Sequence, residues 1–254
     1  MSDFNFLSGL LAQPASLTFA MLAVATAYTV FTVVGFGSAL FAGGPLTLLM
    51  PVARSVPLLA MLDCGGSALR GWQARRHVDW PTFGRLFPGM LLGQLLGVAL
   101  LARLPAAPLA AALGLFIISQ GLRGLLAKKG KNRPSGRRAL ASGLFGGVLG
   151  GLFGSGGFVY ASYLERHLAS REAFRATQAV LIGLSTAWRI VLCLALGLLD
   201  LELLLTAFAF LPAMAAGVWL GRHIDLKISR EQLARLLNLL LIASGASLLL
   251  RFAL

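Results

Sequence analysis

The stretch Val34-Gly35-Phe36-Gly37-Ser38, followed by Gly43-Gly44-Pro45, lies inside strongly apolar sequence, and Gly154-Ser155-Gly156-Gly157 answers it later in the chain. Glycine and proline both weaken a helix, glycine through backbone entropy and proline through its missing N–H. Two such interruptions inside runs otherwise suited to a bilayer predict helices broken at membrane depth. Irregular backbone survives there only where protein or a water-filled cavity surrounds it. The two breaks therefore predict an architecture and also the place where something polar binds.

The rest of the composition supports a membrane setting. Of the 254 residues, 57% are hydrophobic and 12% charged, with a mean hydropathy of +0.82, more apolar sequence than a soluble core of this size requires. The formal net charge is +13, but the basic residues sit in short loops between apolar runs, a topology signal that gives no reason to expect nucleic acid as a partner. Cys64 and Cys193 both fall within apolar segments, which argues against a disulfide framework or a metal cage and leaves the redox compartment open. Met1 to Pro14 contains Asp3 and no Lys or Arg, so it lacks the basic region of a cleaved signal peptide and is expected to remain in the protein.

Apolar segments run from Ala15 to Val34, Ala39 to Val52, Val56 to Trp72, Thr82 to Ala102 and Ala106 to Leu126. After a hydrophilic linker come Ala139 to Phe153, Gly156 to Leu164, Ala173 to Leu199, Leu201 to Gly221 and Gln232 to Phe252. Several approach the roughly 20 residues that span a bilayer, whereas the pieces beside each glycine break are short, like arms of hairpins. The two halves repeat. Pro88, Met90, Gly93, Gly97, Leu113, Ile118 and Gly121 meet Pro212, Met214, Gly217, Gly221, Leu237, Ile242 and Gly245 at one constant offset, and Gly37, Ser38, Phe41 and Arg54 meet Gly154, Ser155, Phe158 and Arg171 at another. The expected organisation is a first membrane repeat over 15–126, a basic cytoplasmic linker over 127–138 and a second membrane repeat over 139–252.

Charge decides the relative orientation of the halves. If each hairpin counted as one span, Arg166, Arg171, Arg175, Arg222, Lys227, Arg230 and Arg235 would face away from the basic linker, against the positive-inside rule. If each break turns the chain back to the side it came from, the halves are inverted. All 22 Lys and Arg then lie inside except Arg54, Arg103 and Arg251 outside and Arg189 within a span. The fold class expected is an all-α integral membrane protein of two inverted-topology repeats. Each repeat is a glycine-broken hairpin plus three transmembrane helices, about eight to ten membrane segments in all, with both termini extracytoplasmic.

Several residues are candidates for chemistry. At a helix break the leading N–H groups lack intrahelical acceptors and the positive end of the helix dipole can face an anion. Gly37, Ser38, Gly43 and Gly44 supply such a tip in the first half, with Thr47 nearby, and Gly154, Ser155, Gly156 and Gly157 supply the second. The alternative reading is that these glycines only let helices pack closely. Arg189 and Asp63 fall at membrane depth, where an unpaired charge costs about 3 kcal/mol at a helix centre. Either Arg189 binds an anion while Asp63 couples protons or gates, or the charges satisfy each other structurally, with Asp200 also near Arg189 in sequence. Thr177, Gln178, Ser185 and Thr186 form a polar run on the long second-half helix, mirrored by Ser67 and Arg70, the latter placed near the cytoplasmic end as a gating or entry charge. Such side chains also commonly bond helix carbonyls or a neighbouring helix.

Other chemistries find no support in the sequence. His77, His167 and His223 lie in or beside loops without metal-ligand spacing, so no metal or other cofactor is expected. No G-x-x-x-x-G-K-[ST] loop is present, which excludes a P-loop ATP-driven pump within this chain. Lys128-Lys129-Gly130-Lys131 and Arg137-Arg138 read as a solvated, topology-setting linker that could also touch anionic lipid.

The glycine-rich hairpin of each half, Val78-Asp79-Trp80, Phe174-Arg175-Ala176-Thr177 and the Leu-Pro-Ala-x-x-x-Gly-x-x-x-Gly run from Leu211 to Gly221 resemble the TauE/SafE sulfite-exporter family over roughly Ala20 to Arg251. The resemblance implies a secondary transporter of inverted repeats that moves sulfite, sulfonates or related small anions across a prokaryotic inner membrane, usually outward. It carries substrate-binding roles onto Gly37-Ser38, Gly154 to Gly157 and Thr177-Gln178. The chain departs from the family pattern where Ala60-Met61 stand opposite Thr177-Gln178 and Asp63-Cys64 follow, since a carboxylate near the site disfavours a dianion unless it is protonated or paired with Arg189. The partners expected are a small anion, the lipid bilayer, a proton as coupling ion and a second copy in a homodimer. An anion channel and a non-transporting scaffold or accessory subunit are the competing readings, and an enzyme lacks a nucleophile, base and metal set.

Overall fold

Helix starts and stops follow from local chemistry. In the computed structural model, residues 13–34, 37–126 and 137–223 are described, together with residues 238, 239, 242, 243, 245, 246 and 249. Among these there are helices and turns but no strand. The first half contains α1 (Pro14–Val34), α2 (Ser38–Thr47), α3 (Val52–Ala74), α4 (Trp80–Arg103) and α5 (Ala106–Leu126), and the second α6 (Arg137–Phe153), α7 (Gly157–His167), α8 (Arg171–Ala195) and α9 (Leu201–His223). The protein is an all-α membrane protein: α1, α4, α5, α8 and α9 are each long and apolar enough to cross a bilayer.

Several helix ends differ from the apolar segments by a few residues because caps, rather than hydropathy, set them. Asp79 caps α4 by accepting the N–H of Thr82 at 2.8 Å, and Ser170 caps α8 by accepting that of Ala173 at 3.4 Å, so polar first turns join apolar bodies. At its other end α8 stops in a Schellman motif. Leu198 N–H reaches the Cys193 carbonyl at 2.8 Å and Gly197 N–H that of Leu194 at 3.1 Å, with Gly197 at φ +69°. The single apolar run Ala39 to Val52 divides instead: α2 ends at Thr47 and α3 begins at Val52. With ten and eleven residues, α2 and α7 rise only about 15–17 Å at 1.5 Å per residue, about half a hydrocarbon core.

Packing is reciprocal between the halves. α4 lies along α6 and α9 along α1, α3 packs on α8, and α2 and α7 each pack on the helix before and after them. Small residues make this possible. A Cβ on Gly93 would overlap the Leu144 carbonyl of α6, and one on Gly147 would sit 2.9 Å from the Gln94 nitrogen of α4. A Cβ on Gly217 of α9 would likewise overlap the Ala25 carbonyl of α1. Backbones this close gain dispersion and weak Cα–H contacts in a setting where lipid offers no hydrophobic drive between helices. Thr29 adds a hydrogen bond to the Gly217 carbonyl at 3.1 Å. The outward faces of α4 and α9 carry exposed Leu92, Leu95, Leu96, Leu204, Leu205 and Phe208, side chains suited to lipid.

At one edge the halves are tied by charge. Arg54, near the start of α3, pairs with Asp200 and, at 2.8 Å, with Glu202. Asp200 also caps α9 by accepting the Leu203 N–H at 2.7 Å. Asp200 is thus engaged with Arg54, and Arg189 is left to other surroundings.

Candidate functional site

The two glycine breaks meet. Gly37, at φ +102°, immediately precedes α2, and Gly154, at φ +70°, lies two residues before the Gly156 cap of α7. Both conformations are rare for L-residues with a side chain. Together with α3 and α8 the tips line a narrow, partly open cavity bounded by Gly37, Ser38, Asp63, Gly154 to Gly157, Ser185, Thr186 and Arg189 and by the apolar Phe31, Leu40, Phe158 and Ile182. The tips also fix how near the walls come. A Cβ on Gly154 would stand 2.7 Å from Nη1 of Arg189 and 2.8 Å from Cβ of Ala39 on the opposite tip.

Arg189 is the dominant charge. It is 3% exposed, it donates through Nη2 to Thr186 Oγ1 at a long 3.5 Å, and its Nε and Nη1 have no hydrogen-bond partner among the described residues. Leaving a buried donor unsatisfied costs about 1–3 kcal/mol per group, more for a charged one such as this guanidinium. One weak bond to a hydroxyl does not offset this. An acceptor in the cavity would.

Asp63 is held differently. Its Oδ1 accepts from Tyr28 at 2.7 Å and its Oδ2 from Ser38 at 2.9 Å, so Ser38 directs its proton to the carboxylate and not into the cavity. The cavity thus has a cationic wall on α8 and, on α3, a carboxylate already engaged by two hydroxyls. The first turns of α2 and α7 begin beside it, and a helix start leaves N–H groups without intrahelical acceptors, although Ser155 gives both its N–H and its hydroxyl to the Leu149 carbonyl.

Most of the residues singled out from sequence are gathered here: Gly37 and Ser38, Gly154 to Gly157, Asp63 and Arg189. Others are placed elsewhere. Gly43 is buried in α2 with the Leu113 side chain 3.9 Å from its ideal Cβ, and Gly44 gives its carbonyl to Thr47 at 2.7 Å. Thr177 is buried at the far end of α8, where its Oγ1 accepts the Asp79 N–H at 2.9 Å, and Gln178 beside it leaves Nε2 without a partner among the described residues. The side chain of Arg70 lies outside the described residues, as do Gly35, Phe36, the linker residues 127–136 and the loop residues Lys227, Arg230 and Arg235. Two contributors did not stand out in the sequence. Tyr28 is a phenol in an apolar helix. Gln94 is an amide inside the apolar span of α4 whose Nε2 donates to Ser185 at 2.8 Å, and a polar residue in such a span was the available signal.

The model of the family Sulfite exporter TauE/SafE matches residues 20–248. The chain belongs to this family. As a TauE/SafE member it is a membrane transporter and not an enzyme. It is 32% identical over 212 residues to the probable inner membrane transporter protein TsaS of Comamonas testosteroni, covering 81% of this chain and 87% of the relative. It is 27% identical over 229 residues to the probable sulfite/organosulfonate exporter TauE of Cupriavidus necator, covering 86% and 88%. No solved structure matches this TauE/SafE chain.

Proposed function

We propose that the protein is a secondary transporter that exports sulfite, sulfonates or related small anions across the inner membrane, with the anion held near mid-depth between the two glycine tips. The observation that carries this reading is Arg189, buried in the cavity wall with Nε and Nη1 unpartnered among the described residues. A pyramidal or tetrahedral oxyanion offers several acceptors, and a guanidinium plus helix-start N–H groups offers a matching set of donors. The names of the two relatives favour sulfur oxyanions within that class. The reciprocal packing of α4 on α6 and α9 on α1 suits two inverted repeats that rock about a fixed site, the arrangement that places binding at the repeat interface.

Asp63 enters as the coupling group. A carboxylate facing the same cavity as the anion repels it when ionised, and protonation removes that repulsion, so anion and proton would occupy the site together. With anion and proton leaving together, an inward proton gradient opposes export, so dissipating it should speed export; unchanged flux would exclude proton coupling and leave the anion site standing.

The site itself is tested in proteoliposomes with sulfite. Arg189→Ala should raise KM at least tenfold, the loss of one charge-assisted contact. Arg189→Lys should recover part of this, because it restores charge without the planar fork. Full activity in both variants removes Arg189 from the site.

A further inference from the structure

Most described hydroxyls in this protein return their proton to a helix carbonyl. Thr29 bonds Ala25, Thr186 bonds Ile182 and Thr206 bonds Glu202, each four residues back at 2.7–2.8 Å. Ser185, on the wall of the cavity, does not. Its oxygen accepts Nε2 of Gln94 at 2.8 Å. The buried Tyr160 hydroxyl lies close enough to interact with it but makes no hydrogen bond to any described residue, so no described acceptor at hydrogen-bonding distance takes the Ser185 proton. Ser185 stands one turn before Arg189 on α8, so the two share a helix face.

Gln94 is in position because α4 and α6 approach so closely. It is 0% exposed, it lies between Gly93 and Gly97 of the contact stripe, and a Cβ on Gly150 of α6 would come within 3.4 Å of its Nε2. Its Oε1 has no partner among the described residues, so the amide sits here without full satisfaction of its own hydrogen-bonding capacity, an arrangement that self-consistent packing does not require.

We infer that Gln94 is a positioning residue for anion recognition: by filling an acceptor lobe of Ser185 Oγ, it turns that hydroxyl's proton into the cavity beside Arg189. Ser185 then acts as a donor in a site whose other hydroxyls are engaged, Ser38 with Asp63, Ser155 with the Leu149 carbonyl and Thr186 with that of Ile182. Without Gln94, Ser185 would fall back to the carbonyl four residues earlier, as Thr186 does, and the cavity would lose a donor. The inference rests on the anion-site reading above.

A double-mutant cycle tests it, with sulfite transport by purified protein in proteoliposomes as the readout. Gln94→Leu and Ser185→Ala should each raise KM about tenfold with Vmax nearly unchanged, and the double variant should be no worse than Ser185→Ala alone, because Gln94 acts through Ser185. Additive losses, about a hundredfold together, would mean independent roles and overturn the proposal. An unchanged KM in Gln94→Leu overturns it as well. So does a lowered KM, which would mean that the amide takes the Ser185 proton instead of freeing it. Should Gln94→Leu fail to assemble, Gln94→Met, unbranched and of similar length, replaces it in the same cycle. If the wild-type protein moves neither sulfite nor methanesulfonate, the anion-site reading fails and this inference with it; if wild type is active and the cycle is additive, only the Gln94 assignment fails.

Discussion

Adding one methyl group at Gly154 should damage the site and the fold at once, and a matched control separates the two effects. Gly154 has φ +70° and Gly197 φ +69°, so alanine at either position pays the same left-handed cost, about 1–2 kcal/mol. Their surroundings differ. At Gly197 no described residue lies within 4 Å of the new Cβ, whereas at Gly154 it meets Arg189 Nη1 at 2.7 Å and Ala39 Cβ at 2.8 Å. The guanidinium can swing aside, but Ala39 is fixed to the α2 backbone, so the tips must separate at the overpacking cost of about 1–3 kcal/mol. Gly154→Ala should therefore cost about 2–5 kcal/mol against about 1–2 for Gly197→Ala. At roughly 2–4 °C per kcal/mol for a chain of this size, thermal unfolding in detergent resolves the difference. Transport separates them further: a displaced Arg189 should raise the sulfite KM of Gly154→Ala tenfold or more, while Gly197→Ala keeps the wild-type value. Equal melting temperatures and equal KM for the two variants would refute the close meeting of the tips.

Three other substitutions test the frame around the site. On α4, Gly93→Ala would overlap the Leu144 carbonyl while Gly84→Ala enters open space, so the first should destabilise by about 1–3 kcal/mol and the second should be neutral or gain about 0.5–1 kcal/mol of helix propensity, read as melting shifts of opposite sign. Asp79→Ala removes the cap of α4 and should cost about 0.5–2 kcal/mol. The hydroxyl and N–H of Thr82 hold the Asp79 carboxyl below its ordinary 3.8, so its contribution is fully present above that value and is lost as pH falls through the lowered pKa. Wild type and Asp79→Ala should accordingly converge in melting temperature only on the acid side of pH 4, and convergence already at neutral pH would mean that the cap is not formed.

Much of the architecture could be read before any coordinates. Apolar length and composition fix an all-helical membrane protein, since lipid admits no unpaired backbone. Glycine at 37 and 154 marks the breaks because only glycine adopts their positive φ without strain. The charges at 63 and 189 signalled a site because the bilayer penalises them. These are local or one-dimensional constraints, and each leaves its mark on the residue that bears it.

What the sequence could not show is which partner each polar group takes, because that depends on contacts between segments far apart in the chain. Arg189 has Asp200 eleven positions away, yet Asp200 is engaged by Arg54 from the other half. Thr177 and Gln178 form part of a polar run with Ser185, but α8 is long enough to carry them past the cavity to the loop end, where Thr177 serves the Asp79 backbone. The glycines of α4 and α6 look alike in sequence to those of the tips, and only their packing shows that they bring Gln94 against Ser185. Helix breaks and membrane depth were therefore set by the chain itself. The donors that face the cavity were set by how the two halves close on each other, since a hydrogen bond is decided by a few tenths of an ångström and not by residue type.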